Sequence, residues 1–164
     1  MKKLLLIRHA NSIFTQAGMS DFDRPLNQRG KNDASQMTER ILFSKLTIDQ
    51  ILSSPALRAI STAEIFSKVL DIPFENILQN KDIYEADPEI IMCIISEFES
   101  SWNNVIMFGH NPGLSYFVGL LTGELYDKGT CSIPEIGIHS DDWAHCAAGI
   151  GSLLSYDFPM NSKP

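Results

Sequence analysis

The sequence holds no long hydrophobic run. Its opening apolar stretch, Leu4–Leu5–Leu6–Ile7, is closed off by Arg8 and His9. A bilayer-spanning helix needs about 20 apolar residues, and a secretory leader needs a cleavage region. Neither pattern is present, so the expected setting is cytoplasmic, with no membrane partner. Cations are scarce: 13 Lys and Arg stand against 20 Asp and Glu, a formal net charge of -7. That balance repels nucleic acid and anionic lipid. An anionic substrate would need a positive pocket local to one part of the molecule. Cysteine is scarce too. Cys93, Cys131 and Cys146 are odd in number and form no C-x-x-C pair, which favours a reducing compartment over a disulfide scaffold. A dinucleotide loop is missing, because Gly149–Ile150–Gly151 lacks a third glycine and a following helix. His139, Asp141, Asp142 and His145 match no metal-ligand spacing, and nothing orients a thiol at His145–Cys146. The expectation is no metal and no cofactor. Repeats, low-complexity tracts and linkers are also missing, so residues 1–164 read as a single domain.

What is present is an alternation of buried strands and amphipathic helices. With hydrophobic residues at 44% and charged residues at 20%, a core can form. Lys2–Ala10 reads as a buried parallel strand. The polar loop Asn11–Asn27 is long for a compact domain, and long loops are often functional. A helix is predicted over Gln28–Ser44, with Ala34, Met37, Ile41 and Leu42 inward. A short strand over Ile48–Ser54 is broken by Pro55, which opens a second helix running to about Leu70. A loop at Ile83–Asp87 precedes a third helix, Pro88 to about Glu99, with Ile90, Ile91, Ile94, Ile95 and Phe98 on one stripe. The strand Asn104–Phe108 ends at Gly109–His110. A fourth helix carries Leu114, Phe117, Val118 and Leu121, and late strands fall at Glu135–His139 and Ile150–Tyr156. A polar tail closes the chain. The pattern predicts an α/β fold: a three-layer α/β/α sandwich with a mostly parallel central sheet and one antiparallel edge strand.

Three strand exits carry the chemistry: Arg8–His9, Ser53–Ser54 with Arg58, and His110. In a parallel sheet these exits share one edge, where ligands bind. A cation and an imidazole there suit a phosphate. Arginine donates in a fixed planar fork and stays charged, and a helix N-terminus near Arg58 would add donors. Each residue has a blander reading. Ser53–Ser54 alone is a turn and cap, Arg24 is as well explained by an ion pair with Asp21 or Asp23, and Glu85 by a solvated loop.

Leu6–Ile7–Arg8–His9–Ala10, Arg24–Pro25–Leu26 with Gly30, Ser53–Ser54–Pro55–Ala56–Leu57–Arg58–Ala59 with Thr62–Ala63–Glu64, and Gly109–His110–Asn111–Pro112 occur in this order. Together they resemble the histidine phosphatase superfamily, and within it the short SixA-type phosphohistidine phosphatase branch. The resemblance spans nearly the whole chain and implies a phosphoglycerate mutase-like fold. It implies that His9 is a nucleophile forming a transient phosphohistidine, that Arg8 and Arg58 clamp the phosphoryl oxygens, and that His110 donates to the same group. Ala10 stands where many members have glycine. The candidate proton donor is Glu85, with Asp21 as the alternative or none needed, since imidazole leaves phosphohistidine readily. Little of the chain is left over to cap the site, so an open pocket is expected. The implied partner is a phosphohistidine-bearing protein or a small phosphorylated substrate. The alternatives are a small-molecule phosphomonoester phosphatase of the same superfamily and a catalytically silent phospho-binding module. The sequence fixes no oligomeric state, and a monomer is compatible with it.

Overall fold

The computed structural model describes residues 1–160; the tail expected beyond them lies outside the described residues. Six strands form one sheet: β1 (Lys2–Arg8), β2 (Gln50–Ser53), β3 (Ile77–Gln79), β4 (Asn104–Gly109), β5 (Ile133–Ile138) and β6 (Gly151–Asp157). Their spatial order is β3-β2-β4-β1-β5-β6. The first four run parallel, with Leu4 opposite Val105 and Ile51 opposite Ile106. The antiparallel part takes in two strands. β5 runs against β1, and β6 at the edge runs against β5.

Alternation along the central strands gives each layer its core, because successive side chains point to opposite faces. Leu4, Leu6, Val105 and Met107 pack under α3 (Pro88–Ser96) and α4 (Gly113–Thr122), against Ile91, Ile95, Leu114 and Phe117. Leu5, Ile7, Ile106 and Phe108 pack under α1 (Gln28–Ser44) and α2 (Leu57–Val69), against Ala34, Met37 and Phe66. Leu42 and Ile90, expected on the inner stripes, are exposed. At 100° per residue each falls at the rim of its helix's apolar arc, beyond reach of the sheet. Polar caps set two helix starts. Asn27 accepts from the Gly30 amide, and Asp87 accepts from the Ile90 amide with Pro88 in the first turn.

Two glycines allow close approach beside the sheet edge that matters. A Cβ on Gly30 would lie 2.0 Å from the Asn11 carbonyl oxygen, and one on Gly113 would lie 1.9 Å from that of Ala86. Both contacts pin a loop that follows a strand or leads into a helix at the carboxyl ends of β1, β2 and β4.

Candidate active site

Three neighbouring strands deliver the site. The His9 amide donates to the Gly109 carbonyl at 3.0 Å, and the Ser54 amide donates to the Phe108 carbonyl at 3.0 Å. The exits of β1, β4 and β2 are thereby stitched side by side. His9 and His110 emerge with ring centroids 5.3 Å apart. Arg58, in the first turn of α2, brings its Nε to 3.2 Å from His9 Nε2. Arg8, His9, Arg58, His110 and Glu85 all line one cleft of about 1190 Å³. Asp21 and Arg24 line it as well, whereas Ser53 and Ser54 do not.

The proton on His9 has one place to sit. Its Nδ1 lies 2.8 Å from the Ala10 carbonyl oxygen, which can only accept. Nδ1 carries the hydrogen, and Nε2 presents a lone pair, which Arg58 Nε–H meets. Thr62 steadies this arrangement from α2: its Oγ1 accepts from the Ala10 amide at 3.0 Å and donates to the Arg58 carbonyl at 2.6 Å. Burial holds the His9 pKa down at about 4; the Ala10 bond opposes the shift, and the Arg58, Arg8 and Arg24 charges add to it. His110 is lowered to about 3, again by burial first and then by His9 and Arg58. Both rings are neutral near pH 7.

Ser54 does more than cap a turn. Its Oγ accepts from the Ala56 amide at 3.2 Å and lies 2.8 Å from His110 Nε2. We assign the hydroxyl proton to that second contact, which leaves the His110 proton on Nδ1. His110 Nδ1 and Arg8 Nε are buried without a hydrogen-bond partner, each a donor of a residue that lines the cleft. Tyr84 sets its ring edge-on against His110 at 5.4 Å.

Asp21 is deeply engaged with cations. Its carboxylate accepts from Arg58 Nη2 at 2.9 Å, from Arg24 Nε at 2.9 Å and from the Tyr84 hydroxyl at 2.8 Å. Burial alone would raise its pKa. The Tyr84 bond and the two arginines outweigh that and hold it at about 2. Arg24 thus has the ion pair its sequence context suggested, and it also donates to Ser12 Oγ and the Ile13 carbonyl. Arg8 reaches the exposed Asp127 at 3.4 Å. Glu85 is exposed at the cleft wall, with its backbone in the left-handed region at φ 55, a conformation that costs a non-glycine residue free energy.

The late polar residues lie apart from this cluster. His139 Nε2 meets Ser152 Oγ at 2.6 Å, and His145 Nδ1 lies 3.3 Å from Ser140 Oγ. Among the described residues no group of three or more His, Cys, Asp or Glu is arranged to hold a metal ion, and no helix is long and apolar enough to cross a membrane.

A neutral imidazole whose Nε2 faces a guanidinium can attack phosphorus once that donor turns to the phosphoryl oxygens, and the guanidinium groups can neutralise those oxygens. Comparison with known proteins gives the family. The model of the histidine phosphatase superfamily (branch 1) matches residues 4–87. The chain belongs to the histidine phosphatase superfamily. As a member it is a phosphatase, a hydrolase of phosphorylated substrates. It is 27% identical over 128 residues to the phosphohistidine phosphatase SixA of Escherichia coli, covering 73% of each chain. It is 29% identical over 158 residues to an uncharacterized chloroplastic protein of Arabidopsis thaliana, covering 90% of this chain and 71% of that one. The solved structure of the protein histidine phosphatase SixA complexed with tungstate superposes with a TM-score of 0.82 at 22% identity, covering 95% of this chain and 96% of the other. That likeness shows the superfamily's fold.

The sequence alone has Ser54 as structural, offers Asp21 as an alternative proton donor or an ion-pair partner of Arg24, and gives Tyr84 and Thr62 no role. Ser54 and Thr62 stood inside the quoted motifs. Asp21 and Tyr84 meet only in three dimensions, 63 positions apart.

Proposed function

We propose that this chain is a SixA-like phosphohistidine phosphatase, working as one histidine phosphatase domain on a protein phosphohistidine. The observation that carries the reading is the His9 tautomer: Nδ1–H on the Ala10 carbonyl, with the Nε2 lone pair turned to Arg58. The Arg58 Nε–H shifts from His9 Nε2 to an arriving phosphoryl oxygen, and the freed Nε2 lone pair attacks phosphorus, forming an N–P bond while the bond to the substrate nitrogen breaks. The departing imidazole takes a proton. Water then attacks the enzyme phosphohistidine, releasing inorganic phosphate and restoring His9. Arg8 and Arg58 neutralise the phosphoryl oxygens, and His110 Nδ1 donates to one of them. Phosphoryl oxygens would give the buried Nδ1 and Arg8 Nε their missing partners. Glu85 supplies or takes the proton where a leaving group or the attacking water needs it. The SixA relative's name, and the binding by a SixA of tungstate, a tetrahedral oxyanion like phosphate, support the assignment. A cleft of about 1190 Å³ has room for a side chain presented by another protein.

The test compares a phosphohistidine carrier protein with p-nitrophenyl phosphate and sugar phosphates, for wild type and His9→Ala. The carrier should be turned over fastest. His9→Ala should lose turnover and any acid-labile covalent phosphate. Faster turnover of sugar phosphates would move the substrate to a small molecule. Absence of turnover on every substrate would leave a phospho-binding module.

A further inference from the structure

Arg58 is the most deeply placed cation at the site, its side chain only 6% exposed. A guanidinium that far from water needs a counter-charge and a fixed set of acceptors. One residue supplies both. Arg58 Nη1 donates to the Asp21 carbonyl oxygen at 2.6 Å, and Nη2 donates to Asp21 Oδ2 at 2.9 Å. These two bonds fix the plane of the guanidinium and leave its Nε edge turned to His9 Nε2. Asp21 is itself held from two further sides, by the Tyr84 hydroxyl on Oδ2 and by Arg24 Nε on Oδ1. It lies in a single helical turn, Asp21–Asp23, capped by Ser20. Its carboxylate therefore ties the loop after β1 to the loop before α3, across α2.

We propose that Asp21 is a positioning residue that sets the Arg58 Nε–H against the reacting nitrogen of His9 and the phosphoryl oxygens that arrive there, and that it does not act as the proton donor. This rests on the phosphoryl-transfer reading above. Three contacts favour it over acid catalysis. Two arginines and a phenol all donate to the carboxylate, and each of these contacts favours its ionised form over a protonated one. Asp21 acts through Arg58, because its bonds run to Arg58 and none runs to either histidine.

Asp21→Asn tests this, since it keeps the shape and removes the charge. Turnover is measured on p-nitrophenyl phosphate and on phenyl phosphate, a good and a poor leaving group. Binding of inorganic phosphate is measured by calorimetry. The expected kcat loss is about 10–100-fold, by the same factor on both esters, because misplacing a guanidinium does not depend on the leaving group. Phosphate should bind about 3–10-fold more tightly once the opposing charge is gone. Asp21→Glu should recover part of the kcat. Tyr84→Phe, which removes one bond to Oδ2, should lose about 2–10-fold in the same leaving-group-independent way. If Asp21→Asn does not fold, Tyr84→Phe decides alone. Unchanged kcat, or a loss confined to phenyl phosphate, overturns the proposal. A wild type inactive on every ester and on phosphohistidine would defeat the phosphatase reading instead. Asp21 would then be judged on phosphate binding, and unaltered affinity in Asp21→Asn would overturn its role.

Discussion

His9 carries one proton, and the Ala10 carbonyl decides where it sits. The chemistry of the cleft depends on such single placements. Glu85 and Asp21 are both carboxylates beside the same histidines, yet their surroundings separate them. Asp21 is bound by Arg58, Arg24 and Tyr84. Glu85 stands exposed at the wall, on a left-handed backbone. Of the two, we propose Glu85 as the group that exchanges a proton with a leaving group. Glu85→Gln should therefore cost about 10²–10⁴-fold in kcat on phenyl phosphate and less than about 3-fold on phosphohistidine, whose imidazole leaves readily. Parallel steady-state assays on the two substrates check this, and an equal loss on both would remove Glu85 from proton transfer. The sequence puts Glu85 ahead of Asp21 only by its loop position, with no physical ground for dividing them. What separates them is which arginine side chains fold over them.

Elements place these residues, and they differ in how plainly the sequence announces them. β1 and β4 are visible as apolar runs because both faces of each are covered by helices. Their exits are visible because the run stops at a charged or polar pair. β3 is not visible. It has three residues, two of them exposed, and it pairs only with β2. Its pairing comes from the neighbouring strand and not from its own pattern. Leu42 and Ile90 mark the same limit for helices, since periodicity gives the direction of an arc but not its width. Thr62 is the element-scale tie within the site, joining α2 to the Ala10 peptide. Thr62→Val keeps the shape and leaves the buried Ala10 amide unpaired. It should lower stability by about 1–3 kcal/mol. Urea unfolding should report an earlier midpoint with an unchanged slope. The kcat should fall with it, because Ala10 also anchors the His9 ring. A full kcat at the lowered stability would separate Thr62 from the site.

For the whole molecule, the two site histidines are an acid liability. Their folded pKa values, about 4 and about 3, lie below the ordinary 6.5. Between those limits the unfolded chain binds more protons than the folded one. Stability is therefore complete above about pH 6.5 and declines as pH falls toward 4. Asp21, held at about 2 against 3.8, adds a further loss as pH falls below about 4, where His110 is still taking up its proton. Unfolding midpoints measured from pH 7 to pH 4 should fall, and His9→Asn should flatten part of that slope. An unchanged slope in the variant would mean that His9 does not stay neutral in the folded protein. The strand order also bears on synthesis. β1 is made first, yet it sits between β4 and β5, with Leu4 facing Val105 on one side and Ile136 on the other. A nascent chain thus carries β1 without either sheet neighbour until roughly 100 residues have followed it. A fragment ending before β4 would retain His9 on a strand with neither of its neighbours, a ready seed for aggregation.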